Sequence, residues 1–96
     1  MRGYPIETGR EVLSKCGRDG GRRFIITEVI DDDFVLVADG STHKLIKPKK
    51  KRVKHLKALK GLSGFIKSRI DNGEPIEDYM LRNELELLSE TCKEVN

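Results

Sequence analysis

The sequence predicts a mainly β domain, a small and strongly bent barrel or sandwich, followed by a C-terminal extension of about two α-helices. Three observations predict this fold class. Residues 10–59 contain four or five short apolar segments that are separated by turn residues. After about residue 60, apolar residues recur at helical spacing. The length of 96 residues suits one small unit with a thin core. We therefore expect a β domain at 1–60 and an acidic helical extension at 61–96.

The first two strands follow from β-branched residues and turn signals. Residues 10–16 alternate loosely, with Val12, Ser14 and Cys16 on one side, and the glycine-rich segment 17–21 forms a turn after them. Residues 22–30 are rich in β-branched side chains and predict the second strand.

The remaining strands are shorter. The three aspartates at 31–33 break the second strand, and a third is expected at 34–39. The Asp39-Gly40 pair favours a tight hairpin turn. A fourth strand is therefore expected at 43–47, ending at Pro48 because proline cannot donate to a β ladder. Residues 53–59 predict a fifth strand.

Helical periodicity begins after the strands. Leu62, Phe65, Ile66 and Ile70 share one helix face, and Gly73 suits a left-handed cap at its end. Pro75 suits the first turn of a second helix, which we expect to run to about Thr91.

The second helix carries two apolar stripes, where a helix exposed on one side needs only one. One stripe contains Ile76, Tyr79, Met80 and Leu87, and the other contains Leu81, Leu85, Leu88 and Cys92. The segments 24–26 and 34–37 are also apolar on both faces. We therefore expect the helices to cover the outside of the barrel, and residues 76–92 to offer a surface for a protein partner or a second copy.

Charge is strongly segregated although the net charge is only +3. Residues 41–60 carry nine Lys or Arg and no acid, whereas residues 71–96 carry eight acids and two bases. A positive surface of this kind recruits polyanions such as nucleic acid. A solvated charged face is the simpler interpretation, but Pro48 stiffens the entry to the 47–54 segment and apolar Val53, Leu56 and Leu59 anchor its far end. We interpret this segment as a basic loop held in shape.

The order of three motifs gives a resemblance to a known family. "GRDGGR" at 17–22, "ADG" at 38–40 and "KPKKKRVKHL" at 47–56 resemble the KOW-motif RNA-binding proteins, in the branch of the fourteenth large-subunit ribosomal protein of archaea and eukaryotes and its small stand-alone bacterial relatives. Phe24 stands where a further glycine is usual in KOW motifs, which narrows the resemblance to the ribosomal branch. The resemblance covers roughly residues 8–57.

The resemblance implies an SH3-like β-barrel whose KOW hairpin and basic loops contact structured RNA, of which ribosomal RNA is one kind. Lysine and arginine suit phosphate contacts, and the shortage of aromatic residues argues against base stacking. The expected RNA-binding residues are Arg10, Lys15, Arg18, Arg22, Arg23, Lys44, Lys47, Lys49, Lys50, Lys51, Arg52, Lys54 and His55.

Several other functions find little support. No Ser-His-Asp, Cys-His or paired-carboxylate arrangement suggests an enzyme or a small-molecule substrate, and we expect no cofactor. His43 and His55 lack partners at metal-ligand spacing. No segment resembles a secretory signal or a membrane span, so we expect a cytoplasmic protein with reduced cysteines.

Two alternatives stay open at this point. SH3-like barrels also serve as protein-interaction adaptors, which the two-striped helix favours. Basic loops also bind duplex DNA.

Overall fold

The computed structural model describes residues 4–15 and 20–94, and it describes side chains as far as residue 88. Five antiparallel strands form one sheet in the order β4-β3-β2-β1-β5, and two helices follow. A short 3-10 helix, Val53–His55, joins the two edge strands. The elements are β1 (Arg10–Ser14), β2 (Arg23–Val29), β3 (Phe34–Ala38), β4 (Lys49–Arg52), β5 (Leu56–Leu62), α1 (Gly64–Asp71) and α2 (Asp78–Glu94). The predicted β-barrel-like domain with a helical extension is confirmed.

The sheet bends around its inner face. Paired residues point to the same side of a sheet, so the pairs Val12↔Phe24 and Ile26↔Val37 lie on one face. These four side chains are fully buried and form one core with Val35 and Leu56. Because strands β1, β2, β3 and β5 all contribute to this single cluster, the sheet curves around it as a small barrel does.

A second core, which we call the helical core, lies between the outer face of the sheet and the two helices. Ile25 and Ala38, which pair across β2 and β3, pack against Ile66 of α1 and against Leu81 and Leu85 of α2. The predicted helical cover is therefore correct for this part of the sheet. It does not extend to Phe34 and Leu36, which lie on the outer face of β3 beside the edge strand β4.

The strand predicted at 43–47 is wrong. Residues 41–47 form turns and bends, and the fourth strand lies at Lys49–Arg52, within the lysine run. Asp39-Gly40 therefore opens a ten-residue connection at 39–48 rather than a tight hairpin. The run is not a loop, although its predicted anchors Val53 and Leu56 do pack on the inner core.

The helix boundaries differ from the predicted ones by two or three residues. Ser63 caps α1 by accepting a hydrogen bond from the Ile66 amide, and Gly73 adopts the expected left-handed conformation after α1. Helix α2 begins at Asp78 rather than at Pro75, whose carbonyl accepts hydrogen bonds from the Arg69 guanidinium. Strand β5 also continues two residues beyond the expected boundary at residue 60.

The N-terminal segment is tied to α1 by Glu7. Its carboxylate lies 3.1 Å from Lys67 Nζ and accepts a hydrogen bond from Arg10 at 3.0 Å. The hydrogen bond from Lys67 is the largest influence that lowers the pKa of Glu7, and the bond from Arg10 acts in the same direction.

We therefore expect Glu7→Gln to lower the melting temperature at neutral pH. A lowered pKa in the folded state means that the stabilisation is present above about pH 4.5, the ordinary value, and is lost as the pH falls through the folded-state pKa. Melting curves of both proteins should converge in acid. A temperature gap that is independent of pH would contradict this assignment.

Candidate nucleic-acid interface

One end of the barrel collects most of the exposed cations. The pairs Ile25↔Ala38, Val37↔Lys49 and Ser14↔Leu56 bring the ends of β1 and β3 beside the starts of β2, β4 and β5. We call this region the hairpin end, and its described residues are 15, 20–22, 39–49 and 54–56. The three aspartates 31–33 lie at the opposite end of the β2-β3 hairpin, where Asp31 accepts hydrogen bonds from the Asp33 and Phe34 amides.

An open depression of about 440 Å³ lies in the 39–48 connection. Its exposed cations are Lys44, Lys47 and Lys49. We call it the basic depression, and its lining residues are Ser41, Thr42, His43, Lys44, Ile46, Lys47, Pro48 and Lys49. An open concave surface with lysines along it can follow a sugar–phosphate backbone, which an enclosed cavity cannot.

Two acids hold the backbone of this connection. Asp39 Oδ1 accepts hydrogen bonds from the Ser41 and His43 amides, both at 2.9 Å. Asp78, at the start of α2, accepts a hydrogen bond from the Leu45 amide at 2.8 Å. Through these bonds to backbone amides, the two acids fix the shape of the depression.

Leu45 and Ile46 face opposite directions. Leu45 packs on the helical core, whereas Ile46 is 93% exposed. A hydrogen bond from the Lys47 amide to the Lys44 carbonyl closes the turn that contains them both. The depression thus carries an exposed apolar side chain between its lysines.

Arg22 extends the basic depression towards the first hairpin. Its guanidinium donates a hydrogen bond to Thr42 Oγ1 at 3.0 Å, which connects the β1-β2 hairpin to the 39–48 connection. His43 also faces this junction, with its ring 5.5 Å from the Phe24 ring.

Lys15 and His55 lie on the other side of the hairpin end, and Lys54 lies between them and the aspartate turn at 31–33, because the Val53 amide donates a hydrogen bond to the Asp33 carbonyl at 2.7 Å. The Lys15 amide donates a hydrogen bond to the His55 carbonyl at 2.9 Å, so the end of β1 adjoins the 3-10 helix. All three side chains are exposed. Arg18, the remaining predicted cation of this hairpin, lies outside the described residues, as does Cys16.

The lysine run does not form one surface, because a strand sends alternate side chains to opposite faces. Lys50 and Arg52 lie on the outer face, with Lys50 Nζ and Arg52 Cζ 4.7 and 4.9 Å from the centre of the Phe34 ring. Lys49 and Lys51 pair with Val37 and Val35 and lie on the inner side, where Lys51 is half-buried. The expectation of one shared basic loop at 47–54 is therefore wrong.

Two predicted site residues have structural partners. Arg10 is 5% exposed, and its guanidinium donates to the carbonyls of Pro5, Leu59 and Lys60. Arg23 pairs with Glu11, whose carboxylate is fully buried on the outer face. The assignment of Arg10 to the interface is corrected, because it is buried and its contacts hold β1 against β5. The Arg23 side chain is 35% exposed, so its contact with RNA stays a prediction.

The sequence did not single out Ile46 or the two acids that hold the connection. An aliphatic residue between lysines gives no indication of its exposure, and Asp78 lies 33 positions from Leu45. The Asp39-Gly40 pair is the local signal that could have indicated the role of Asp39, since an aspartate side chain in a turn can accept hydrogen bonds from nearby backbone amides.

In the described part of the chain, no group of three His, Cys, Asp or Glu residues could hold a metal ion. None of the described helices combines the length and apolar character needed to cross a membrane.

The comparisons with known proteins point to one group. The chain is 36% identical to the large ribosomal subunit protein eL14 of Desulfurococcus amylolyticus over 87 residues, which covers 81% of this chain and 88% of that protein. It is 35% identical over 54 residues to proteins of the same name from Staphylothermus marinus and Hyperthermus butylicus. Those two alignments cover 56% of this chain and 56% and 55% of the relatives, little more than half their length. No protein-family model matches the chain.

Proposed function

Because the chain belongs to the eL14 family of large ribosomal subunit proteins, we propose that it binds structured RNA, with ribosomal RNA as the partner. Family membership confirms the resemblance inferred from the motifs at 17–22, 38–40 and 47–56. The relatives are ribosomal proteins and not enzymes, and the chain is accordingly not an enzyme. As a ribosome-associated protein, it would act in the cytoplasm.

The observation that carries the proposal is the cluster of exposed cations at the hairpin end. Three connections meet there and contribute Lys15, Arg22, Lys44, Lys47, Lys49, Lys54 and His55. These six lysines and arginines outnumber the nearby acids Asp39 and Asp78, whose carboxylates accept hydrogen bonds from backbone amides, so the surface presented to a ligand carries a net positive charge. Phosphate contacts of this kind fix position and orientation without reading sequence. Structured RNA, which is recognised through shape, phosphates and 2′-hydroxyls, suits this surface.

The test is a titration of a ribosomal RNA fragment at several salt concentrations, with duplex DNA of equal length as competitor. Six exposed lysines and arginines at the hairpin end give an expected slope of log affinity against log salt of about −4 to −5, at roughly 0.7–0.9 per phosphate. Co-sedimentation with large ribosomal subunits should accompany it. A slope near zero, or equal competition by DNA, would refute the proposal.

Replacing Ile46 tests whether apolar contact with RNA contributes to binding in addition to ionic contact. The wide, shallow minor groove of RNA displays ribose and base edges, and Ile46 lies between lysines that would contact its phosphates. We expect Ile46→Ser to weaken RNA binding about fivefold to tenfold because less apolar surface is buried in the complex. The salt slope should stay unchanged, because no charge is removed. Val29→Ser, at a 40% exposed apolar residue of β2, is the control and should have no effect. A changed slope for Ile46→Ser would contradict this role.

A contact with a protein partner or a second copy through residues 76–92 is a second proposal. Tyr79 and Leu87 are 52% and 56% exposed, whereas Ile76 and Met80 of the same stripe pack against the helical core. If the chain is instead a protein-interaction adaptor, this same surface is its main binding site. Pull-downs with and without RNase distinguish the two, since an adaptor retains its partners after RNA is removed.

A further inference from the structure

The two helices form an apolar groove that the RNA site does not use. Leu81 and Leu85 of α2 lie in the helical core, and Met80 packs against it. Tyr79 and Leu87 face outwards and line the same space as Phe65 of α1. The space between them measures about 300 Å³. We call it the helix groove, and its lining residues are Phe65, Tyr79, Met80, Asn83, Glu84 and Leu87.

Three of the eight large apolar side chains that are exposed in the described part of the chain lie together in this groove. Phe65, Tyr79 and Leu87 are 47%, 52% and 56% exposed, and all three line the same space. Single exposed apolar residues are ordinary, but a contiguous group that lines a groove indicates a binding surface. Aromatic residues and methionine are also the types enriched at protein interfaces.

The charge around the groove selects its occupant. Residues 71–88 carry six acids and one base, Arg82, whose guanidinium bonds the Gly40 carbonyl. Two of the six acids act elsewhere, since Asp78 holds the basic depression and Asp71 lies 3.9 Å from Lys67 Nζ. Glu84 lines the groove, and Glu86 lies one helical turn from Asn83. At its other edge, Arg69 stacks on Phe65 and donates to the Pro75 carbonyl.

This charge disfavours two occupants. RNA phosphates would face carboxylates across the groove. A second copy would bring one acidic helix against another, and like charges across an interface are repulsive. A basic partner gains from the same field.

We propose that the helix groove binds a basic amphipathic segment of another protein, whose apolar side chains enter beside Phe65, Tyr79 and Leu87 while its lysines and arginines meet Glu84 and Glu86. A helix lying in the groove with anchors at i, i+3, i+4 and i+7 suits this geometry. This inference rests on the proposed function in one respect, because the partner would be another protein of the ribosome.

The first test uses a labelled peptide of about 16 residues, with leucine at those anchor positions and lysine elsewhere. We expect it to bind the full chain, and a matched peptide with glutamate in place of lysine to bind at least tenfold more weakly. The double variant Tyr79→Ser/Leu87→Ser should also bind the lysine peptide at least tenfold more weakly, whereas Val29→Ser should bind as the original chain does. Circular dichroism checks that each variant is folded. Equal binding of both peptides, or binding that is insensitive to the double variant, overturns the proposal.

The second test places a photoreactive benzoylphenylalanine at Asn83 in the full chain, assembled into large ribosomal subunits. Irradiation should yield an adduct with a lysine- or arginine-rich segment of a different protein. Adducts with RNA or with a second copy of this chain overturn the proposal. If the chain does not enter the subunits, the proposed function fails, and peptide binding alone decides the role of the groove.

Discussion

Replacing Arg22, Lys44, Lys47 and Lys49 together by glutamine should lower affinity for structured RNA by roughly a thousandfold at about 0.1 M salt. Each phosphate contact adds roughly 0.7–0.9 to the salt slope, so the removal of four cations reduces the slope by about three. The affinity difference between the two proteins should therefore nearly vanish as salt rises tenfold, towards about 1 M. None of the four side chains is buried, so the variant should fold normally. RNA titrations of both proteins across this salt range measure the effect.

The control separates the two faces of β4. Lys47→Gln/Lys49→Gln removes two cations from the basic depression, and Lys50→Gln/Arg52→Gln removes two from the outer face beside Phe34. Both doubles change the net charge by the same amount. We expect the first to lower the salt slope by about 1.5 and the second to change it little. Equal effects would show that the whole edge strand binds RNA and would contradict an interface centred on the hairpin end.

The sequence was sufficient to predict the strands that build the inner core. In β1, β2 and β3 the β-branched or apolar residues are bounded by segments rich in turn-forming residues. Local propensity therefore agrees with the tertiary structure. The two stripes of α2 were likewise predictable from spacing. Leu81 and Leu85 of one stripe are buried in the helical core. Tyr79, Met80 and Leu87 of the other line the helix groove, although Met80 also packs against the core.

Strand β4 could not be predicted in the same way. Lysine is a poor strand former, and four consecutive cations give no alternation of apolar and polar residues. The strand forms because β3 has a free edge beside it, and charged residues are acceptable at the edge of a sheet. Once the run is a strand, its alternation divides the cations between two faces, which corrects the expected site as well as the fold.

Long-range hydrogen bonds account for the rest. The sequence suggests that Arg10 is an exposed cation, yet carbonyls 49 and 50 positions away in β5 bond its guanidinium. The shape of the basic depression depends on Asp78, which belongs to the helical extension. Neither contact has a local signal, so both the exclusion of Arg10 and the role of α2 in the site require the three-dimensional structure.

The dependence of the RNA site on α2 leads to the second large effect, at Gly40. This residue has a φ of 78°, and a Cβ atom added there would overlap the carbonyl oxygen of Asp78 and approach Arg82 Cγ at 3.2 Å. Gly40→Ala should therefore push the start of α2 away from the 39–48 connection and break the Asp78–Leu45 hydrogen bond. We expect the free energy of unfolding to fall by about 3 kcal/mol, of which roughly 1–2 comes from the left-handed backbone alone. Urea unfolding measures this decrease.

Gly21→Ala provides the matched control, because Gly21 also has a positive φ, 87°, but its added Cβ would meet no atom within 4 Å. It should cost only the conformational part, about 1–2 kcal/mol. The difference between the two variants isolates the contact of α2 with the connection. Under conditions where both remain folded, Gly40→Ala should also weaken RNA binding about tenfold, since the basic depression loses one of the two acids that hold its backbone. If both variants bind RNA equally well, the helices stabilise the barrel without shaping its interface.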